Sequence, residues 1–180
     1  GAWIIEDACH APGAYFTDSK GTNQFAGNGV FAECSIFSFH PVKHIAAGEG
    51  GMITTNDKAI YDQLCLLRSH GITRDSNRFQ RTVQEVGGES DYPLWYMEMQ
   101  ELGFNYRLTD FQAALGRSQL GRADEGMEKR RAIAKHYAAA FADASFVLGQ
   151  SGFVEGHAYH LYILEVTDRL GVYTELRSKG

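Results

Sequence analysis

A lysine that stands between a short apolar strand and a glycine-rich turn is the residue best suited to chemistry. Lys43 follows the run Ser35–Val42 and precedes a turn at Gly48–Gly51. Most lysines are solvated at the surface, and that interpretation applies to any single lysine. Here the apolar neighbours favour desolvation, which stabilises the neutral amine, and a neutral amine can form a Schiff base with a carbonyl carbon. The pattern therefore predicts that Lys43 acts on a carbonyl compound.

Three further polar residues could bind the same ligand. Asp7 follows a predicted buried strand, and open α/β sheets bind ligands at the ends of such strands. Its carboxylate could pair with a cationic ring nitrogen, as pyridoxal phosphate (PLP) requires, or simply cap a turn. His10 could contact that ligand or be an ordinary hydrogen-bonded loop residue. Ser38 could offer its hydroxyl and amide to a phosphate or be a plain strand residue.

The remaining candidates are weaker as single residues. His40 and His44 are four positions apart, but Pro41 between them disfavours a helix that presents both, and no metal site is predicted. His160 adjoins a predicted strand, where it could face a substrate or lie in the core. Asn105 precedes a helix start, which is a position suited to phosphate.

The elements that position these residues follow from apolar periodicity and capping residues. Strands are predicted at Trp3–Ile5, Cys34–Phe39, Gly51–Thr55 and His157–Thr167, and helices after Asp57, from Thr109, over Asp124–Ala142 and after Asp168. Residues 72 to 103 are predicted to form a long functional loop or insertion. A change in composition predicts a domain boundary between residues 1–118, a large domain, and residues 119–180, the first part of a smaller one.

The composition is that of an α/β enzyme. The 180 residues are 44% apolar, with 20 glycines and only 3 prolines. A net charge of −5 argues against general nucleic-acid binding, which needs a basic face. Three cysteines without paired spacing, and no apolar run of membrane-spanning length, predict a reduced, cytoplasmic protein. The chain begins within a strand pattern and stops within a helix pattern, so we expect it to be truncated at both ends.

Three motifs in order resemble the DegT/DnrJ/EryC1/StrS family of PLP-dependent nucleotide-sugar aminotransferases. They are Glu6–Ala11, then Phe37–Lys43 with Gly48–Met52, then Asn105–Ala114. The resemblance covers nearly the whole chain and implies an α/β protein of fold type I, with the three-layer large domain of the aspartate aminotransferases and part of a small α+β domain. The sequence His-Pro-Val-Lys followed by Gly-Glu-Gly-Gly is most similar to the branch that aminates a UDP-4-keto-6-deoxy-N-acetylhexosamine, as in pseudaminic acid synthesis.

The resemblance implies a role for each candidate residue. Lys43 is expected to be the Schiff-base lysine and proton shuttle. Asp7 is expected to pair with the pyridinium nitrogen of PLP, and His10 to lie near the phenolic oxygen. Ser38 is expected to bind the cofactor phosphate. Asn105 is expected to reach the phosphate of the neighbouring subunit's PLP, which implies a homodimer with shared active sites.

The resemblance also implies the substrates. His160 resembles a histidine that faces the sugar, the acceptor is expected to be a UDP-linked keto-sugar, and the amino donor is expected to be glutamate. Two alternatives stay open at this point. One is a PLP-dependent sugar dehydratase of the same family, in which a histidine replaces the lysine, so that His44 beside Lys43 becomes relevant. The other is a non-catalytic fragment that binds PLP or a sugar nucleotide.

Overall fold

The computed structural model describes all 180 residues, and they divide into two compact units. One unit combines Gly1–Thr54 with Asp110–Gly180, and the other is Thr55–Thr109. Both units contain strands and helices, so the α/β class predicted from the sequence is confirmed. None of the helices is both long enough and apolar enough to cross a membrane.

Nine strands and four α-helices make up the chain. The strands are β1 (Ile5–Asp7), β2 (Tyr15–Thr17), β3 (Asn23–Phe25), β4 (Cys34–Ser38), β5 (Gly51–Thr54), β6 (Ile72–Thr73), β7 (Glu98–Met99), β8 (Val147–Gln150) and β9 (Leu164–Val166). The helices are α1 (Lys58–Leu67), α2 (Asp110–Leu120), α3 (Ala123–Ala140) and α4 (Arg169–Lys179).

A three-stranded sheet in the order β1, β4, β5 organises the first unit. β1 runs parallel to β4, with Asp7 opposite Ile36, and β5 runs antiparallel to β4, with Gly51 opposite Ser38. Two antiparallel pairs, β2 with β3 and β8 with β9, complete the strands of this unit. Because β1 and β4 are parallel, their carboxyl ends meet at one edge of the sheet, and both deliver polar residues there.

A partly buried hydrogen bond between the side chains of Ser35 and Glu6 joins β4 to β1. Ser35 is completely buried, and its hydroxyl donates a 2.5 Å hydrogen bond to the Glu6 carboxylate. The same carboxylate oxygen accepts from the Gly27 amide at 2.9 Å. Buried polar atoms need such partners, and these pin the loop before β4 to the first strand.

The second unit is built on α1 and a long irregular segment. Asp57 caps α1, since its carboxylate accepts hydrogen bonds from the amides of Ala59 and Ile60. Between β6 and β7, two short 3₁₀ turns and an aromatic cluster replace longer elements. In that cluster Phe79 lies edge-on to Tyr92 and Tyr96 at 4.8 and 4.9 Å. The prediction of a mostly irregular segment over 72–103 is confirmed, and its function stays a prediction.

Most predicted elements are confirmed, but two strands are placed differently. β1 lies at Ile5–Asp7 rather than Trp3–Ile5, because the ladder with β4 continues through the polar residues. The strand predicted over His157–Thr167 is wrong up to residue 163, and only Leu164–Val166 pairs, with β8. Residues 157–160 form a loop whose carbonyls accept from side chains instead of a strand. The domain boundary near residue 119 stays a prediction.

Candidate active site

Lys43 lies in a loop whose base is closed by backbone hydrogen bonds. The loop leaves β4 and returns at β5, and Phe39 joins its two ends, because its amide donates to Gly50 at 2.8 Å and its carbonyl accepts from Ala47 at 2.9 Å. The Lys43 amide donates to His40 at 2.9 Å in a turn within this loop. Gly50 takes a φ of +138°, which only glycine adopts readily. The predicted glycine-rich turn thus presents a half-buried Lys43 from a fixed base.

Asp7 ends β1 and is held by the residue two positions later. Its Oδ1 accepts a 3.0 Å hydrogen bond from the Cys9 amide. The hydrogen bond of the Cys9 thiol, then that of the Cys9 amide, lowers the pKa of Asp7 against an opposing effect of burial, and the lesser effects of the His10 and Lys43 charges lower it further. Asp7 therefore caps a turn and stays ionised, and its pairing with a cationic ring nitrogen stays a prediction.

Three histidines converge although they lie far apart in the sequence. The His160 ring is 4.1 Å from the His10 ring and 5.4 Å from the His44 ring, measured between centroids. Burial, followed by the charges of His10 and Lys43, lowers the pKa of His160 to about 4. Burial also lowers the pKa of His44, against the hydrogen bond that its Nε2 makes to the Ala158 carbonyl. His44 and His160 are consequently neutral near pH 7.

Lys43 is electrostatically coupled to the residues gathered at the ends of β1 and β4. Its charge acts on Asp7, on Cys9 and on the imidazoles of His44 and His160. Lys43 follows Ser38, the last residue of β4, and β4 runs parallel to β1, which ends at Asp7. An amine, an ionised carboxylate and neutral imidazoles thus share one site in the first unit.

Ser38 and Asn105 have different surroundings. Ser38 is the last residue of β4, at the same sheet edge as Asp7, and its Oγ accepts a 3.4 Å hydrogen bond from the His40 amide. Asn105 is exposed in the second unit, where an isolated bridge pairs it with Ser69 just after α1. The phosphate contacts expected of Ser38 and Asn105 stay predictions.

Sequence reasoning missed several residues of this site. The spacing of the cysteines predicts only that Cys9 is reduced, although Cys9 is the main hydrogen-bonding partner of Asp7. His44 was weighed only against a metal site and an alternative alignment, whereas it bonds to a carbonyl 114 residues further along the chain. Arg130 was not considered, yet it donates to the Tyr159 carbonyl. No local pattern signals contacts of this kind, since each joins distant segments.

The donor set fits PLP. The ionised carboxylate of Asp7 suits a protonated ring nitrogen, and the amine of Lys43 suits an aldehyde. The Nδ1 atoms of His44 and His160 are buried without a hydrogen-bond partner. Two ring nitrogens in the same site as this carboxylate and amine can therefore still form hydrogen bonds. Buried polar atoms are normally satisfied, so a polar ligand that reaches this cluster has atoms to bind.

Comparisons with known proteins identify the family of this chain. A model of the DegT/DnrJ/EryC1/StrS aminotransferase family matches residues 1–179. An uncharacterized protein, MJ1066, of Methanocaldococcus jannaschii is 36% identical over 173 residues, which are 94% of this chain and 40% of that protein. The UDP-4-amino-4,6-dideoxy-N-acetyl-beta-L-altrosamine transaminase of Campylobacter jejuni is 40% identical over 134 residues, which are 74% of this chain and 29% of the relative.

A solved structure is similar in fold over almost the whole chain. PseC of Helicobacter pylori, an aminotransferase involved in the biosynthesis of pseudoaminic acid, superposes with a TM-score of 0.69 and 28% identity. The match covers 97% of this chain and 41% of PseC. The chain therefore spans well under half the length of each of these relatives.

Proposed function

Because the chain belongs to the DegT/DnrJ/EryC1/StrS aminotransferase family, we propose that it carries the catalytic lysine of a PLP-dependent nucleotide-sugar aminotransferase. The reaction moves an amino group from glutamate to the 4-keto carbon of a nucleotide-linked deoxysugar. The acceptor is of the UDP-4-keto-6-deoxy-N-acetylhexosamine type. The identity to the Campylobacter transaminase and the likeness to PseC support this acceptor class.

One observation carries the proposal: Asp7, which its hydrogen bonds to Cys9 keep ionised, ends β1 at the same sheet edge from which the parallel strand β4 leads into the loop of Lys43. A module that only binds a sugar nucleotide needs neither group. A sugar dehydratase of this family would carry a histidine in place of Lys43. The hydrogen bond of His44 to the Ala158 carbonyl occupies its Nε2, so His44 is a poor substitute for that histidine.

Each residue then has a chemical task. When bound, PLP supplies an aldehyde that carries the amino group and a ring that withdraws electrons from the reacting carbon. Lys43 would hold the cofactor through Nζ, and its amine, when free and neutral, would take and return the proton at that carbon. Asp7 keeps a negative charge that favours the protonated ring nitrogen. Ser38 binds the phosphate, and His10 lies near the phenolic oxygen.

The oligomeric state and the cellular location of the protein are inferred from its membership of the same family. Asn105 reaches the cofactor phosphate of a partner subunit, so the active sites of a homodimer are shared. His160 faces the sugar. A soluble nucleotide sugar and glutamate are both metabolites of the cytoplasm, and we place the enzyme there.

Covalent attachment of PLP to Lys43 is the test of this function. The purified full-length protein, incubated with PLP, is expected to show an absorbance band at the edge of the visible range that borohydride abolishes. Peptide mass spectrometry is then expected to find the reduced adduct on Lys43. A Lys43→Ala variant should lack the band, while Lys20→Ala, which removes an exposed lysine elsewhere in the same unit, should keep it. An unlabelled Lys43 in wild-type protein contradicts the proposal.

Replacement of Asp7 separates attachment from turnover. Asp7→Asn is nearly isosteric, and we expect it to leave the adduct on Lys43 intact while transamination falls about 10²-fold or more, because a preorganised charge is lost. The measurement is amino-sugar formation from glutamate and a UDP-4-keto-sugar. Deoxygenated sugar as the product would instead indicate a dehydratase, and attachment without any turnover would indicate a binding module. Equal rates for wild type and Asp7→Asn would remove Asp7 from the mechanism.

A further inference from the structure

The segment that carries His160 is irregular, yet two of its residues are among the most buried in the chain. Ala158 is 2% exposed and Tyr159 is 5% exposed, although no strand or helix includes them. Buried backbone without regular structure must find partners for its polar groups elsewhere. Here those partners are side chains.

Three consecutive carbonyls of this segment each accept a hydrogen bond from a different side chain. Arg131 Nε donates to His157 at 3.2 Å, and Arg130 Nη1 donates to Tyr159 at 3.2 Å. Between them, His44 Nε2 bonds to the carbonyl of Ala158 at 2.9 Å. We call these three donors, His44, Arg130 and Arg131, the carbonyl clamp. A carbonyl can only accept, so the geometry assigns the proton of neutral His44 to Nε2.

The backbone inside the clamp is strained. Tyr159 has a φ of +47°, a conformation that residues with a side chain adopt only at a cost. Such conformations persist where the surroundings hold them from several sides. The Tyr159 amide donates to His157 Nδ1 at 3.0 Å, and its phenolic oxygen lies 3.0 Å from the Gly152 carbonyl. The clamp therefore acts on a turn that would relax without support.

The turn sets the position of the residue that follows it. His160 comes directly after Tyr159, and its ring lies 4.1 Å from His10 and 5.4 Å from His44. Two members of the clamp come from α3, but His44 comes from the loop that carries Lys43. The hydrogen bond from His44 to Ala158 is thus a direct connection between that loop and the segment of His160.

We propose that His44 is a positioning residue: by donating to the Ala158 carbonyl it fixes the His157–His160 turn and so holds His160 beside His10 and the loop of Lys43. In this role it acts on the reaction through the position of His160. Its effect on catalysis rests on the proposed aminotransferase function. Its effect on the position of His160 does not, and this allows the two to fail separately.

Two substitutions at position 44 separate donor geometry from side-chain size. The amide nitrogen of glutamine lies where Nε2 of histidine does, so His44→Gln keeps a donor toward Ala158. The shorter His44→Asn places its amide near the Nδ1 position and loses that donor. His136→Asn is the matched control, because His136 is an exposed residue of α3 outside the clamp.

The first readout is the titration of His160 by NMR in histidine-labelled full-length protein without PLP. Wild type, His44→Gln and His136→Asn are expected to show a His160 pKa near 4, since the burial of His160 and the charges of His10, Lys43 and Arg130 are kept. His44→Asn is expected to raise it by about one unit or more as the turn relaxes into solvent. An unchanged His160 in a folded His44→Asn variant overturns the proposal.

A second variant covers the case in which His44→Asn does not fold. Arg131→Met keeps the apolar stem and removes the donor to His157, so it should shift the His160 resonance in the same direction. No shift in that variant overturns the proposal as well.

The second readout is catalytic. His44→Asn is expected to lower kcat/KM for the keto-sugar about tenfold or more while borohydride still labels Lys43, and His44→Gln is expected to restore it. If wild type takes up no PLP, the proposed function fails, and the NMR titration still decides the role of His44. If wild type is active and His44→Asn matches it, the positioning role fails alone.

Discussion

At the residue scale, the site combines an ionised carboxylate with neutral imidazoles. The Cys9 hydrogen bonds keep Asp7 ionised, whereas burial keeps His44 and His160 neutral. Groups whose environments move their pKa values apart are typical of acid–base sites. Lys43 stands among them, and its neighbours supply the charge and the polar atoms that the sequence alone could only suggest.

The pKa of His160 makes the stability of the fold depend on pH. Its folded value of about 4 lies below the ordinary 6.5, so the unfolded chain binds the proton first as the pH falls. The free energy of unfolding should therefore decrease between about pH 6.5 and pH 4, and above pH 6.5 this group has no effect. His160→Asn removes the titrating group, and a series of thermal melts should show a shallower fall of Tm over this range than in wild type.

The lowered pKa values of Asp7 and Asp18 act in the same direction at lower pH and remain in both proteins. His136→Asn again serves as the control and should keep the wild-type slope. Parallel Tm curves for wild type and His160→Asn would show that His160 is not held neutral by the fold.

At the element scale, short strands and capped helices position the residues of the site. β1 and β4 bring Asp7 and Ser38 to one sheet edge, and the loop between β4 and β5 adds Lys43. α3 contributes through its inner side, where Met127 and Ala134 are buried as the periodicity predicts. Tyr137, further along the same helix, is 41% exposed.

The start of α1 offers a quantitative check on an element that the sequence predicts. Asp57→Ala removes the cap of the Ala59 and Ile60 amides, and we expect it to lower the free energy of unfolding by about 1 kcal/mol. Asp57→Asn, which can still accept these hydrogen bonds, should cost much less. Urea denaturation followed by circular dichroism measures both.

Asp62, one turn later on α1, is the control for the loss of a carboxylate. It is paired with Lys58 at the surface, and such i,i+4 pairs contribute only about 0.3–0.5 kcal/mol. If Asp62→Ala costs as much as Asp57→Ala, the effect at Asp57 is one of charge and not of capping.

At the scale of the whole molecule, large apolar side chains are exposed on both edge strands of the main sheet. Ile5 on β1 is 60% exposed, and Met52 on β5 is 53% exposed. Edge strands with exposed apolar residues are sites of association. The chain spans 41% of PseC, which has the same fold type, and the predicted fold class is confirmed by that superposition.

We expect the 180-residue chain, when produced by itself, to bind a hydrophobic dye and to form concentration-dependent oligomers. The double variant Ile5→Glu and Met52→Glu should reduce both, because it places a charge on each edge strand. Ser19→Glu with Ser178→Glu adds the same charge at exposed polar positions and should change little. Light scattering after size-exclusion chromatography gives the mass, and a wild-type chain that is monodisperse and binds no dye contradicts this expectation.

The sequence by itself determined what depends on neighbours in the chain. Apolar runs and caps located β4, α1 and α4, since strand alternation and the capping of helix amides are local effects. The order of three motifs around Asp7, Lys43 and Asn105 was sufficient for the family, which the match over residues 1–179 confirms.

Only the tertiary structure decided which distant groups meet. The His157–His160 segment alternates like a strand, but it is a turn because side chains of α3 and of the Lys43 loop satisfy its carbonyls. The neutral state of His160 depends on burial beside His10, 150 residues away in the chain. Burial, hydrogen bonding across the fold and shifted protonation are properties of packed neighbours, and no local spacing of residues encodes them.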